Sequence, residues 1–304
     1  FLRAPGAAVC RAFSGASMLS AHDPVLPRLL QRGGDAGAPC SAALAVVFSL
    51  ARVRNALLGR TDAVIAISRA IAEEAAASGF PASRVHRIPH GIDMTEYAPA
   101  DPELRRARRR VLKLPEDKQL VTYTGRLIQG KGLETLFEAW RALRDVPDLH
   151  LVIVGSGAGQ VISIEDRLRA SAAEPDLAGR ITFTGRLDDI PSVLQASDLF
   201  VFPTLDEALG MSAVEAQACG LPAVASRTGG VRDVVEDGAT GLLVPPRNSV
   251  ELAAALRRLV LDEALRRRFA LAARERAVAE FSRQTMITRY SDLFTELAAK
   301  RRAA

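Results

Sequence analysis

Residues Leu120–Arg144 read LVTYTGRLIQGKGLETLFEAWRALR. A short β-branched and apolar run, Leu120–Thr124, is followed by a turn rich in glycine and cations, Gly125–Gly132, and then by an amphipathic stretch, Leu133–Arg144. Strand, turn and helix follow in that order. The alternation continues with apolar runs at Leu149–Val154, Ile181–Thr184, Leu199–Phe202, Ala223–Ser226 and Leu242–Val244. Helical segments lie between them near Val161–Ala173, Ile190–Ala196, Ser212–Cys219 and Val231–Glu236. Six strands alternating with helices predict an α/β fold with a parallel, doubly wound sheet. Past Pro246, helices are expected near Val250–Leu261, Ala264–Ala279 and Arg283–Lys300.

A sheet of this kind binds ligands beyond the carboxyl ends of its strands, so the residues just past each strand carry the information. The first five strands lead into Gly125-Arg126, Gly155-Ser156-Gly157, Gly185-Arg186, Pro203-Thr204 and Thr228-Gly229-Gly230. Glycine at that end lets a ligand approach the backbone. One polar crevice is expected.

Upstream of Gln119 the pattern is thinner. Ala63–Ile67 reads as a strand, Ser68–Ser78 as a helix closed by Gly79 and Pro81, and Val85–Ile88 as a further strand leading into Pro89-His90-Gly91-Ile92-Asp93. Pro99 and Pro102 mark a domain boundary there. The division expected is 1–99, 100–282 and 283–304. Too few strands precede residue 99 for a whole doubly wound domain, and Phe1–Ser17 lacks the layout of a signal peptide. Further sequence is therefore expected upstream.

With 304 residues, 48% hydrophobic and 25% charged, the chain has the composition of a globular protein of up to two domains. Forty basic against 35 acidic residues give a modest net charge of +5, which does not by itself select among anionic partners. The densest basic run, Arg105, Arg106, Arg108, Arg109, Arg110 and Lys113, suits a solvated helix face or contact with an anionic membrane surface. Cys10, Cys40 and Cys219 are odd in number and share no C-x-x-C spacing, against a disulfide framework or zinc site and in keeping with a reducing cytoplasm. The longest apolar run, Ala42–Ala51, is too short for the roughly 20 residues that span a bilayer.

Glu207-Ala-Leu-Gly210-Met211-Ser212-Ala-Val-Glu215 sets two carboxylates either side of a glycine at the start of a helix. Ser212 is a reasonable N-cap, and the amides near Gly210, Met211 and Ser212 then form an anion site suited to a diphosphate. Glu215, one turn into the helix, is placed to accept from ribose hydroxyls, and Glu207, in the loop, to reach a sugar. Two surface glutamates are the bland alternative. Gly125-Arg126-Leu-Ile-Gln-Gly130-Lys131-Gly132 brings two cations to phosphates and is close to a P-loop, but Gly132 stands where the magnesium-binding hydroxyl would be. Metal-free phosphate binding is preferred to an ATPase. Gly155-Ser156-Gly157-Ala158-Gly159 departs from G-x-G-x-x-G and comes after the second strand, which disfavours a nicotinamide enzyme. Neither D-x-D nor H-E-x-x-H is present, so no metal ligands are expected.

Taken together these residues resemble glycosyltransferase family 4, retaining enzymes with the two-Rossmann GT-B fold. The matching parts are Gly125-Arg126 with Gly130-Lys131-Gly132, Val152–Gly157, Ile181–Gly185, the Glu207 and Glu215 pair, Gly229-Gly230 with Glu236-Asp237-Gly238, and Gly241–Pro245. Upstream, Asp62–Ser68 and Pro89–Asp93 resemble the end of the acceptor domain and the interdomain hinge, although relatives more often carry Asn where His90 stands. The resemblance implies a complete C-terminal Rossmann-like domain, a partial N-terminal one, and a last helix returning to the latter. It implies a hexosyltransferase using a nucleoside diphosphate sugar such as a UDP-, GDP- or ADP-sugar, with no cofactor, no metal and no nucleic acid. The acceptor would be a hydroxyl of a growing glycan or a lipid-linked molecule, and the enzyme cytoplasmic, peripheral to the membrane. Arg126 and Lys131 would neutralise the diphosphate, Glu215 hold the ribose, and Glu207 stabilise charge at the reacting carbon without acting as a nucleophile. Gly125, Gly185 and Arg186 would complete the nucleotide contact, and His22 would line the cleft from the first domain. A non-catalytic sugar-nucleotide-binding fragment is the alternative from another class.

Overall fold

The computed structural model of the chain describes residues 61–303, and Asp62–Ala304 form one compact unit. Its centre is a six-stranded parallel sheet of β3 (Gln119–Thr124), β4 (Leu149–Val154), β5 (Ile181–Gly185), β6 (Leu199–Phe202), β7 (Ala223–Ser226) and β8 (Gly241–Val244), in the spatial order β5-β4-β3-β6-β7-β8. β3 and β4 run in register from Gln119↔Leu149 to Thr124↔Val154, and β3 meets β6 at Val121↔Leu199. All six residues of β4 are buried, the near-continuous apolar burial expected where helices cover both faces of a parallel sheet.

Side chains alternate between the two faces. Val121, Tyr123, Leu151 and Ile153 enter the main core with Leu136, Trp140 and Phe200, whereas Leu120, Val152 and Val154 pack on the other face with Leu114, Val193 and Ala196. Full burial of each large apolar side chain contributes about 1.5–3 kcal/mol. Helices α3 (Leu133–Ala142) and α8 (Ser249–Leu261) pack on one another, as do α6 (Met211–Ala218) with α9 (Glu263–Phe281), and α2 (Pro102–Val111) with α5 (Ile190–Ala196). α4 (Glu165–Ala172) starts later than the expected Val161. Ser163 instead pairs with Ile128 in an antiparallel bridge and Ile164 N donates to Leu127 O, so this segment runs beside the loop after β3.

A second, two-stranded parallel sheet holds β1 (Val64–Ala66) and β2 (Val85–Arg87), joined through α1 (Arg69–Ala77). In sequence the two sheets are separated by residues 88–118, which carry α2. Two passages of chain link them, and they lie side by side: Ile92 bridges Ser282, with Ile92 N donating to Phe281 O and Arg283 N to Ile92 O, each at 2.9 Å. The last helix, α10 (Arg283–Ala303), then runs back until Arg301 meets Asp62 at 3.0 Å.

The basic run on α2 is largely engaged. Arg109 is buried, donating to the carbonyls of Ala196, Glu116 and Lys118 and to Asp198, which also takes Arg105; Arg110 pairs with Glu116. Arg106 and Lys113 are its exposed members with no acidic partner among the described residues. No helix of the described residues is long and apolar enough to cross a membrane.

Candidate functional site

β3 and β6 are neighbours from which the strand order runs in opposite directions. At such a reversal the loops leaving the two strands part and open a crevice at their carboxyl ends. The loops after β3 and after β6 meet there. Leu205 N donates to Gly130 O at 2.9 Å. Lys131 Nζ reaches Glu207 Oε2 at 2.7 Å, with 19% and 22% of the two side chains exposed. Two of the expected site residues, 76 positions apart in sequence, are thus in direct contact.

Backbone proximity holds these loops together. A Cβ on Gly132 would lie 1.8 Å from Pro203 O, so the position that a P-loop fills with Ser or Thr has neither a hydroxyl nor room for one. A Cβ on Gly229 would lie 2.1 Å from Glu207 O, and Gly230 N donates to that same oxygen at 2.8 Å. On Gly155 a Cβ would lie 1.9 Å from Gly125 O. Several of the glycines read as openings for a ligand therefore serve loop-to-loop packing. Gly130 and Gly185 differ: among the described residues nothing beyond their own chain neighbours lies within 4 Å of a built Cβ.

The start of α6 requires a correction. Its N-cap is Gly210, in the left-handed region at φ 98, ψ 59, and not Ser212, which is the second helical residue. Gly210 O accepts from Ala213 N and Val214 N, so the helix closes before the Ser212 hydroxyl could cap it. No side chain caps this end, which leaves the amides of Met211 and Ser212 in the arrangement that favours an anion. Glu207 stands at the same place, its Cγ 3.6 Å from a Cβ built on Gly210. Glu215 comes roughly 7 Å further along the helix. It is half-buried, and burial, reinforced by the nearby Glu96 charge, pushes its carboxyl up to about 7.

Arg126 is exposed, with no acidic partner among the described residues; its carbonyl takes a hydrogen bond from Tyr123 Oη at 3.1 Å. Gly185 and Arg186 end the edge strand β5, two strand spacings or about 10 Å from β3. Arg186 is 85% exposed beside Asp188, so these two are not brought to the Lys131–Glu207 contact. His22 lies outside the described residues.

Three supporting residues are not among the candidates singled out above. Tyr123 is fully buried beneath Gly125, and burial with the Glu207 charge raises its phenol well above the usual range, partly opposed by Arg126. Glu165 fixes the loop after β4 by accepting from Gly157 N at 2.7 Å and Ser156 Oγ at 2.9 Å, and the amide of Gly157 in particular holds its carboxyl below the ordinary range. Arg274 of α9 donates to Tyr97 O and Ala218 O, both at 2.6 Å, and to Met94 O at 3.0 Å, which ties the turn bearing Glu96 to the end of α6. Tyr123, a polar tip on an inward strand position, carried a signal in sequence; the other two depend on contacts that no local pattern encodes.

The doubly wound sheet and its reversal-point crevice define a Rossmann-like α/β unit, and its similarity to solved glycosyltransferase structures places it in the GT-B class. The chain belongs to the glycosyl transferases group 1 family, which matches residues 105–276, and residues 42–96 match glycosyltransferase family 4. It is 32% identical over 286 residues to the D-inositol 3-phosphate glycosyltransferase of Salinispora tropica, covering 84% of this chain and 59% of that protein. The chain thus spans about three-fifths of that relative's length. Among solved structures it is similar to HepE of Anabaena in complex with UDP-glucose, at TM-score 0.72 and 27% identity over 82% of this chain and 67% of that one. It is also similar to sucrose-phosphate synthase of Thermosynechococcus elongatus, at TM-score 0.71 and 31% identity over 82% and 62%.

Proposed function

We propose that this chain is the donor-binding part of a retaining glycosyltransferase that moves a hexose from a nucleoside diphosphate sugar to a hydroxyl of a glycan or lipid-linked acceptor. The observation that carries this reading is the contact of Lys131 with Glu207 beside the uncapped start of α6. A diphosphate seated on the Met211 and Ser212 amides competes with Glu207 for Lys131, and a carboxylate released in this way is free to face the sugar. Arg126, exposed and without an acidic partner among the described residues, adds a positive charge at the mouth, and Glu215 accepts from ribose hydroxyls. In the transfer the bond from the anomeric carbon to the phosphate oxygen breaks, a bond to the acceptor oxygen forms on the same face, and the acceptor proton passes to the departing phosphate. Glu207 stabilises positive charge on the ring in this scheme.

The reading needs no cofactor and no metal, and it treats 1–99 as the acceptor side, 100–282 as the donor side and 283–304 as the helix joining them. UDP-glucose in the similar HepE structure makes UDP the first nucleotide to try. A cytoplasmic location belongs to the same proposal.

Calorimetry with UDP, GDP and ADP tests it. A charge-assisted hydrogen bond contributes about 1.5–3 kcal/mol, so Lys131→Ala is expected to weaken the preferred nucleotide about tenfold or more. Glu207→Ala is expected to leave that affinity undiminished and to abolish release of sugar from the matching donor. Unchanged affinity in Lys131→Ala would remove the phosphate assignment.

A further inference from the structure

Asp233 has no place in the scheme of transfer proposed above, yet among the described residues it is the buried carboxylate, with 8% of its side chain exposed. It lies on α7 (Val231–Val234), the short helix after Gly229-Gly230. Its two oxygens face the other sheet. Oδ2 accepts from the backbone amide of Arg69, the first residue of α1; Oδ1 accepts from Arg69 Nε at 3.0 Å and lies 3.7 Å from Arg87 Nη1 on β2. Ser68 Oγ caps the same helix by accepting from Ile71 N at 3.2 Å. α1 is therefore capped twice, once by its own sequence and once by a carboxylate 164 positions away.

On its other side α7 is fixed to the candidate site. Gly230 N donates to Glu207 O, Thr228 Oγ1 donates to Leu205 O at 2.9 Å, and Arg276 of α9 closes the far end by donating to Asp233 O at 2.8 Å and Val234 O at 3.1 Å. A continuous path of hydrogen bonds thus runs from the start of α1 through Asp233 and Gly230 to Glu207 and on to Lys131.

We infer that Asp233 is a positioning residue that sets the Glu207 loop against the β1–α1–β2 segment through the start of α1. Its role in transfer rests on the function proposed above; its role as a link does not. Both Arg69 and Arg87 are more than half exposed, so their charges alone would be largely screened by water. The amide contact, part-buried and made to a carboxylate that is itself buried, is what fixes direction, because it is made only when the start of α1 faces α7.

Amide hydrogen exchange on the whole chain tests the link without nucleotide or turnover. In Asp233→Asn, which keeps shape and removes charge, the amides of Arg69–Ile71 and of the loop 205–212 are expected to exchange about tenfold faster or more, while those of β3, β4 and β6 exchange as in the parent. Unchanged exchange at Arg69–Ile71, or acceleration spread evenly into the six-stranded sheet, would overturn the inference. Should Asp233→Asn not fold, Arg69→Pro removes the amide donor at the first helical position, where proline is tolerated. It is expected to give the same acceleration at Ala70–Ile71 and in the loop 205–212, and unchanged exchange there would overturn the inference. Calorimetry on the same samples separates the two claims. If the parent binds no nucleoside diphosphate, the functional reading goes and the link stands or falls on exchange alone. If the parent binds and Asp233→Asn shows the local acceleration with nucleotide affinity kept within about twofold, the residue acts on placement and not on donor binding.

Discussion

Glu215 shows how burial and function meet in a single side chain. Its carboxyl titrates near 7 in the folded protein because burial and, next, the charge of Glu96 oppose ionisation; in the unfolded chain it returns to the ordinary 4.5. Between those values the folded protein keeps a proton that the unfolded chain has released, so stability falls as pH rises through this window and levels off above it. Glu215→Gln has no such proton to lose. The thermal midpoint of the parent is therefore expected to drop relative to Glu215→Gln between about pH 5 and pH 7.5. Parallel curves would show that the carboxyl is better solvated than its surroundings imply. Residue chemistry of this kind is only half legible in a sequence. The spacing of Glu207 and Glu215 marked both as candidates, but the proximity of Glu96 to Glu215 depends on the turn at Asp93–Tyr97 being folded against α6.

At the scale of elements, Arg274 does for α6 what a sequence pattern cannot foretell. Its guanidinium satisfies three carbonyls at once, on the turn before α2 and at the end of α6. Removing it leaves those acceptors without their donor, and Arg274→Met is expected to destabilise the protein by about 2–3 kcal/mol, read as a lowered urea midpoint. The strands themselves were plain. Leu149–Val154, Leu199–Phe202 and Ala223–Ser226 fall where composition puts them, because a strand buried on both faces must be apolar throughout. The two errors differ in origin: Val161–Ile164, β-branched at three of its four positions, pairs with the loop after β3 as that composition favours, whereas at α6 tertiary contact overrules local preference and Gly210 begins the helix where Ser212 offered a better cap. The same override explains the basic run on α2, since Arg109 is drawn inward by three carbonyls and Asp198.

In the molecule as a whole, what the sequence could not disclose is the meeting of distant parts. Lys131 with Glu207 was foreseeable from the rule that crevices form beyond the carboxyl ends of strands, whereas Asp233 with Arg69 obeys no rule of periodicity or motif. The paired passages at Ile92 and Ser282 belong to this scale as well. Gly91 admits no side chain there, a Cβ lying 2.5 Å from Ser282 O and 2.8 Å from Arg283 N. Gly91→Val is expected to force the passages apart and to make the peptide bonds around residues 89–93 and 281–283 newly sensitive to limited proteolysis. With the two passages fastened to each other at Ile92 and Ser282, and the start of α1 held to α7 through Asp233, the β1–β2 segment is secured at two separate places. A door latched as well as hinged stays where it is until the latch opens, so any swing of the start of α1 past the crevice has to begin with loss of the Asp233 contact.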